Sequence, residues 1–147
     1  MKYPARLWLL ITIGGFFLFL DQLLKWLALN IWSSPSLITA FFGWQPFINR
    51  GVAFGINLPS WAIFFVSIPV LVIIGSAAIN ERKKQNPRAF FAWSLLFAGA
   101  FSNFFDRLVY NNVIDYFLIG MSLFNLADAM IVLGLGMAIF YGWKKKL

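Results

Sequence analysis

The sequence predicts an all-α membrane protein with four transmembrane helices, a small extracytoplasmic β-like cradle, and both termini in the cytoplasm. The 147-residue chain is 61% hydrophobic and only 12% charged, with a mean hydropathy of +0.79. This composition is typical of integral membrane proteins. Four apolar stretches are long enough to span a bilayer, namely residues 7–31, 61–79, 89–108 and 124–143. We therefore expect one domain, residues 1–147.

The first apolar stretch follows a short basic N-terminus and could be mistaken for a signal peptide. No A-x-A-like cleavage site follows it promptly, and the apolar run continues past Asp21 and Lys25. We interpret it as a retained helix.

Two segments are expected outside the membrane, residues 32–60 and 110–123. The first contains prolines and glycines around two β-prone pieces, residues 37–44 and 45–54. These pieces are expected to form a hairpin-like structure at the membrane surface.

The basic residues predict the orientation. Residues 80–88 form a short basic loop, and three lysines lie near the C-terminus. By the positive-inside rule, this loop and both termini are cytoplasmic, which requires an even number of spans. The formal net charge of +7 thus reflects topology, and no nucleic acid partner is expected.

The absence of Cys and His limits the available chemistry. Disulfides, thiol nucleophiles, imidazole bases and the usual zinc ligand sets are excluded. We expect neither a metal nor a cofactor.

Four of the five acidic residues lie in or against apolar segments, where an ionised carboxylate is costly. They are Asp21, Asp106, Asp115 and Asp128. Counting about 1.5 Å per residue from the basic flanks places Asp21 and Asn103 at about 22 Å from the inner interface, and Asp128 at about 24 Å. Polar groups on three helices should therefore meet at one level near the outer leaflet.

Local explanations remain open for each of these groups. Asp21 and Lys25 are spaced i,i+4 and can form an ion pair on one helix face. An Asp106–Arg107 brace is the simplest structural role for that pair, and Asp128 can cap a helix N-terminus. Two carboxylates brought close together also titrate as a coupled pair, one protonated and one ionised, and can activate water. Spacing alone does not select the pair.

Five short motifs occur in order along the chain. They are Asp21-Gln22-Leu23-Leu24-Lys25, Asn49-Arg50-Gly51-Val52-Ala53-Phe54, Gly99-Ala100-Phe101-Ser102-Asn103-Phe104-Phe105-Asp106-Arg107, Val113-Ile114-Asp115-Tyr116 and Phe124-Asn125-Leu126-Ala127-Asp128. Together they resemble the motifs of signal peptidase II, the bacterial membrane aspartyl protease family, over nearly the whole chain.

The resemblance implies a role for each motif residue. Asp115 and Asp128 would be the catalytic dyad. The residues that line or support the site would be Asn49, Gly51, Asn103, Arg107, Asn125, Asp21, Lys25 and Asp106. The implied substrate is a prolipoprotein whose cysteine carries diacylglycerol, cleaved just before that cysteine. The implied setting is the bacterial cytoplasmic (inner) membrane, with a monomeric enzyme whose site faces the extracytoplasmic side and contacts membrane lipid.

Two other classes of function are weighed against this one. A four-helix proton-coupled transporter would place one dominant carboxylate near the midplane of the membrane. A noncatalytic scaffold subunit would use the polar cluster only for bracing. The clustering of polar groups towards one side favours a site that opens outward.

Overall fold

The computed structural model describes residues 4–51 and 59–143. It contains the helices α1 (Pro4–Asn30), α2 (Ser60–Lys83), α3 (Pro87–Tyr110) and α4 (Leu126–Trp143). The strands are β1 (Ser36–Thr39), β2 (Phe42–Asn49), β3 (Val113–Ile119) and β4 (Ser122–Phe124). The protein is thus mostly helical. Its small sheet combines β1 and β2, which lie between α1 and α2 in the sequence, with β3 and β4, which lie between α3 and α4.

Among the described residues, three helices are long and apolar enough to cross a membrane. These are Trp8–Asn30 of α1, Trp61–Lys83 of α2, and α3. The apolar part of α4, Leu126–Tyr141, is shorter. Large apolar side chains such as Phe65 (77% exposed) and Val132 (69% exposed) point away from the protein, as expected for helices surrounded by lipid.

Helix α3 is the centre of the bundle. It packs against α1, α2 and α4, and 56% of its most apolar window is buried, compared with 17% in α1 and in α2. Polar residues on α3 are therefore held against the other helices rather than against lipid.

Two glycines bring α3 and α4 into close contact. A Cβ on Gly99 would lie 2.5 Å from the Ala127 carbonyl oxygen, and one on Gly134 would lie 2.6 Å from the Leu96 nitrogen. Small residues at such crossings let helix backbones approach each other in membranes. The close contact at Gly99 also sets the distance between α3 and the start of α4.

Helices α1, α2 and α3 are longer than the hydrophobic pattern indicated, whereas α4 begins at Leu126 rather than at residue 124. Helix α2 continues to Lys83 and α3 begins at Pro87, so the basic segment expected as a loop over residues 80–88 is mainly helical. The Asn86 side chain accepts a hydrogen bond from the Ala89 N–H and caps α3. The hydrophobic pattern ends where charged residues begin, but the helical backbone hydrogen bonds continue through those residues. Their long side chains can reach water from the end of a helix.

The sheet is antiparallel, with strand order β1-β2-β3-β4. A hairpin is present in the first outer segment as β1 and β2, but it turns at residues 40–41 and not between the two predicted pieces, at residues 44–45. The second hairpin, β3–β4, was not predicted from the sequence; it turns at Gly120, whose φ is +66°, a conformation that glycine adopts readily. Residue Phe47 pairs with Asp115, and Asn49 pairs with Val113, so β2 and β3 carry Asn49 and Asp115 side by side.

Three predictions rest on residues outside the described part of the chain. They concern the end of the Asn49 motif at residues 52–54, and the charges at Lys2 and at residues 144–146 that contribute to the predicted orientation.

The helix crossing at Gly134 gives a testable prediction. Gly134→Ala places a methyl group against the main chain of α3, which cannot move aside, so the free energy of unfolding should fall by about 1–3 kcal/mol. Gly136→Ala is the matched control, because no atom lies within 4 Å of a Cβ there. Thermal unfolding of both variants in detergent micelles measures the difference. Equal melting temperatures would show that this crossing is not tight.

Candidate active site

Polar side chains from five elements meet at one end of the bundle. They come from α1 (Asp21, Gln22, Lys25), β2 (Asn49), α3 (Ser102, Asn103, Asp106, Arg107), β3 (Asp115, Tyr116) and the start of α4 (Asn125, Asp128). The convergence at one level agrees with the depths counted along the sequence. The motif residue Gly51 lies just after β2, and its N–H donates to Asn49 Oδ1 at 3.0 Å.

A buried ion cluster forms the base of this region. Lys25 Nζ lies 2.7 Å from Asp21 Oδ2 and 2.7 Å from Asp106 Oδ2, and all three residues are at most 1% exposed. The Asp21–Lys25 pair is the one expected from i,i+4 spacing. One amino group thus lies between two carboxyl groups.

The expected Asp106–Arg107 brace does not form as an ion pair within the described residues, although the charge of Asp106 acts on Arg107. Asp106 instead binds Lys25, accepts from Gln22 Nε2 at 2.9 Å, and accepts from the Ile114 N–H at 3.4 Å. The Arg107 Nη1 donates to the Asn103 carbonyl oxygen at 3.1 Å. Consecutive helical residues point in different directions, so Asp106 faces α1 while Arg107 faces the pocket.

Ser102 completes the cluster. Its hydroxyl donates to Asp21 Oδ2 at 2.6 Å and accepts from Gln22 Nε2 at 2.8 Å. Every polar side-chain atom that is buried in the described residues has a hydrogen-bond partner. Satisfied partners are what allow charged groups to remain buried.

Two asparagines connect the cluster to Asp115 and Asp128. Asn103 Oδ1 accepts from Lys25 Nζ at 3.0 Å, and Asn103 Nδ2 donates to Asp128 Oδ1 at 2.9 Å. Asn125 Nδ2 donates to Asp115 Oδ1 at 2.7 Å and to Asn103 Oδ1 at 3.1 Å. A flipped Asn103 amide would place its NH₂ group against two donors, so its orientation is fixed.

Asp115 and Asp128 each accept two hydrogen bonds. Asp115 Oδ2 accepts from Asn49 Nδ2 at 2.9 Å, in addition to the bond from Asn125. Asp128 Oδ2 accepts from the Asn125 N–H at 3.1 Å, while Asn125 Oδ1 accepts from the Asp128 N–H at 2.9 Å. This reciprocal pair is a capping box at the start of α4. Asp128 therefore does cap a helix, and its Oδ1 still faces Asn103.

Burial raises the pKa of Asp115 to about 6, from a usual value of 3.8. The hydrogen bonds from Asn49 and Asn125 and the charge of Lys25 oppose this shift, while the negative charge of Asp128 adds to it. Asp128 is therefore close enough for its negative charge to act on Asp115.

A pocket of about 970 Å³ contains both carboxylates and lies between α2, α3, α4 and the sheet. Its polar wall includes Asn49, Gly51, Asn103 and Arg107 together with Asp115 and Asp128. Its apolar wall is formed by α2 and α4, with Val70, Leu71, Ile131 and Val132. Val70 and Val132 are exposed, so the apolar wall reaches the lipid-facing surface.

Asn125, Asp21, Lys25 and Asp106 do not line the pocket. They lie behind it and hold the side chains that do. Within residues 4–51 and 59–143, no group of three or more acidic, His or Cys side chains is arranged to hold a metal ion.

Sequence reasoning assigned no role to Gln22, Ser102 and Tyr116. Each makes its contacts with residues at least ten positions away, so no local spacing could reveal them. Tyr116 and Ser102 are 0% exposed, but nothing in the local sequence distinguishes them from other buried residues. The only available signal was their position inside the motifs.

The fold and the site define a class: a mostly helical protein with several membrane-crossing helices and a pocket that holds two carboxylates. A family model described as Signal peptidase (SPase) II matches residues 13–144. The lipoprotein signal peptidase of Brevibacillus brevis is 34% identical over 134 residues, covering 86% of this chain and 89% of that protein. The lipoprotein signal peptidase of Caldanaerobacter subterraneus subsp. tengcongensis is 34% identical over 139 residues, covering 90% and 92%.

Solved structures agree with this assignment. One described as a bacterial membrane enzyme determined by the in meso method at 2.3 Å resolution has a TM-score of 0.79 and 26% identity, covering 93% of this chain and 88% of that one. A second such structure, at 1.9 Å resolution, has a TM-score of 0.74. The chain belongs to the signal peptidase II family and is a peptidase.

The raised pKa of Asp115 predicts how stability depends on pH. Between about pH 4 and pH 6 the unfolded chain ionises Asp115 while the folded protein keeps the proton, so rising pH destabilises the wild type through this group, by at most about 1.4 kcal/mol per pH unit. Asp115→Asn cannot ionise. Its melting temperature relative to the wild type should therefore rise from pH 4 to pH 7 and then level off.

Thermal unfolding in one detergent across this pH range measures the difference. Ser122→Ala, a neutral change in the same pocket, should differ from the wild type by the same amount at every pH. An Asp115→Asn difference that is equally independent of pH would contradict the raised pKa.

Proposed function

We propose that the protein is an aspartyl endopeptidase that removes the signal peptide from diacylglyceryl-modified prolipoproteins, cutting just before the lipidated cysteine. The observation that carries this proposal is the placement of Asp115 and Asp128 in one pocket, joined through Asn125, on a chain of the signal peptidase II family.

The pair supplies acid and base in one site. One carboxyl is ionised and takes a proton from water as that water attacks the scissile carbonyl carbon. The other is protonated and donates to the carbonyl oxygen as negative charge develops there. Collapse of the tetrahedral intermediate breaks the C–N bond. The first carboxyl passes the proton that it took from water to the leaving amine, and the former carbonyl oxygen gives its proton back to the second carboxyl. The raised pKa of Asp115 supports this division of roles, because Asp115 holds its proton at a higher pH than an ordinary carboxyl does.

Fixed donors support this chemistry. Asn49, Asn103 and Asn125 hold both carboxylates through neutral amides, so the dyad needs little rearrangement during the reaction. Arg107 carries further N–H groups beside its bond to Asn103 and lines the pocket. It can bind carbonyl oxygens of the substrate.

The shape of the pocket suits a lipidated substrate. Its apolar wall, formed by α2 and α4, reaches the lipid-facing surface, while its polar wall holds the carboxylates. A substrate can keep its acyl chains and apolar signal segment in the bilayer and present one peptide bond to the dyad. The relatives' name, lipoprotein signal peptidase, agrees with this class of substrate.

Four spans with both termini in the cytoplasm complete the proposal. The basic residues Arg82, Lys83, Lys84 and Arg88 lie at the α2–α3 turn, at the opposite end of α3 from Asp106. By the positive-inside rule this turn is cytoplasmic. The site then faces the extracytoplasmic side of the bacterial inner membrane, in a monomeric enzyme.

Cleavage of a purified, diacylglyceryl-modified prolipoprotein tests the proposal. The wild type should release the signal peptide, and Asp115→Asn and Asp128→Asn should each lose at least about 10³-fold in rate, because one member of an acid–base pair is missing. Glu81→Gln is a matched carboxylate-to-amide control at the α2–α3 turn and should cleave normally. Gel electrophoresis and mass spectrometry of the products measure release and the site of cleavage.

Two results would contradict the proposal. Cleavage that persists in a folded Asp115→Asn or Asp128→Asn variant removes that residue from the dyad. If folded wild-type protein cleaves no lipidated prolipoprotein, the proposed activity on this substrate is refuted, and the transporter or scaffold hypothesis is favoured.

A further inference from the structure

The first three backbone N–H groups of α4 all donate to side chains. The Leu126 N–H donates to Tyr116 Oη at 2.9 Å, the Ala127 N–H to Asp21 Oδ1 at 3.0 Å, and the Asp128 N–H to Asn125 Oδ1 at 2.9 Å. Helix starts leave such groups without partners inside the helix. Here two of the three partners come from other elements, β3 and α1.

Tyr116 occupies a central place in this arrangement. Besides accepting from Leu126, its hydroxyl donates to Asp21 Oδ1 at 2.9 Å. The residue is 0% exposed, and its ring stacks on Trp44 with centroids 5.0 Å apart. The ring is therefore fixed by packing, and the hydroxyl joins the buried ion cluster directly to the backbone of α4.

The turn that Tyr116 holds is the one that carries Asp128. Asp128 Oδ2 accepts from the Asn125 N–H, so the side chain follows the backbone of this turn closely. A shift of the turn would move Asp128 relative to Asp115, which belongs to β3.

We propose that Tyr116 is a positioning residue for the reaction: its hydroxyl fixes the first turn of α4 and thereby the place of Asp128 opposite Asp115. This inference rests on the proposed function of the two carboxylates. Tyr116 does not line the pocket, so it acts through the turn and not on the substrate.

The Tyr116 hydroxyl remains protonated at neutral pH. Burial and the negative charge of Asp21 both raise the pKa of Tyr116. The phenol therefore keeps donating to Asp21, and its oxygen remains available to the Leu126 N–H.

Tyr116→Phe isolates the hydroxyl, because it leaves the ring and its packing on Trp44 in place. We expect kcat to fall about tenfold, since small misplacements of reacting groups cost rate steeply, with KM unchanged because the pocket wall is intact. Tyr110→Phe, the same chemical change at an exposed tyrosine at the end of α3, should leave both constants unchanged.

A second variant tests the same bond from its other end. Leu126→Pro removes the donor N–H, and proline is well accepted at the first position of a helix. If the bond positions Asp128, Leu126→Pro should also lower kcat, and adding Tyr116→Phe should then reduce it by much less than in the wild type. This variant also keeps the test possible if Tyr116→Phe does not fold.

Hydrogen exchange provides a readout that does not depend on activity. In Tyr116→Phe, the amides of residues 126–128 should exchange faster than in the wild type, while the Tyr110→Phe variant should show no change there. Mass spectrometry of peptides covering the start of α4 measures this.

Several outcomes would overturn the inference. They are an unchanged kcat in Tyr116→Phe, a raised KM alone, or a lower melting temperature with normal kcat per folded molecule, which would show a purely structural role. Cleavage by Asp128→Asn would instead remove the proposed dyad, and with it any need to position Asp128. Loss of cleavage in Asp128→Asn with full activity in Tyr116→Phe would overturn the positioning role alone.

Discussion

The rest of the structure depends on one buried ammonium. Lys25 lies 2.7 Å from both Asp21 and Asp106 and so joins α1 to α3. Asp21 continues the connection to α4 through the Ala127 N–H, and Asp106 continues it to β3 through the Ile114 N–H. Burying these charges costs desolvation free energy, and removing one partner leaves the others buried without a compensating charge. The value of the cluster therefore lies less in stability than in fixing how four elements meet.

Neutral amides separate this cluster from the carboxylates proposed to do the chemistry. An asparagine can accept from an ammonium with its oxygen and donate to a carboxylate with its nitrogen, as Asn103 does between Lys25 and Asp128. Asn103 thereby fixes the position of Asp128 relative to Lys25, while the Lys25 ammonium itself stays one side chain away from Asp128. Ordered donors in a site with little water are the arrangement that stabilises developing charge best. The rigid cluster is thus the support on which the proposed acid–base pair depends.

Local patterns in the sequence predicted the apolar helices, the common level of the polar groups and the Asp21–Lys25 pair, because hydrophobic runs and i,i+4 spacing act within one helix. The same reasoning paired Asp106 with its sequence neighbour Arg107, but Asp106 forms its ion pair with Lys25. Lys25 lies 81 positions away, and only the packing of α1 on α3 brings it close. The β3–β4 hairpin was missed because β4 has only three residues, too few to show a strand pattern in the sequence. The hydroxyl contacts of Ser102 and Tyr116 also depend on tertiary structure. The choice of Asp115 and Asp128 came from the family motifs, and it stays a prediction until the variants are assayed.

The most direct test of this account is the unfolding free energy of Lys25→Met, Asp106→Asn and the double variant, measured in lipid bicelles. Lys25→Met leaves two buried carboxylates facing each other, and it should cost about 3–5 kcal/mol. Adding Asp106→Asn removes one of those charges, so the double variant should be more stable than Lys25→Met alone. If the two changes instead add, each destabilising the protein independently, then Lys25 does not hold the two carboxylates together and the account is wrong.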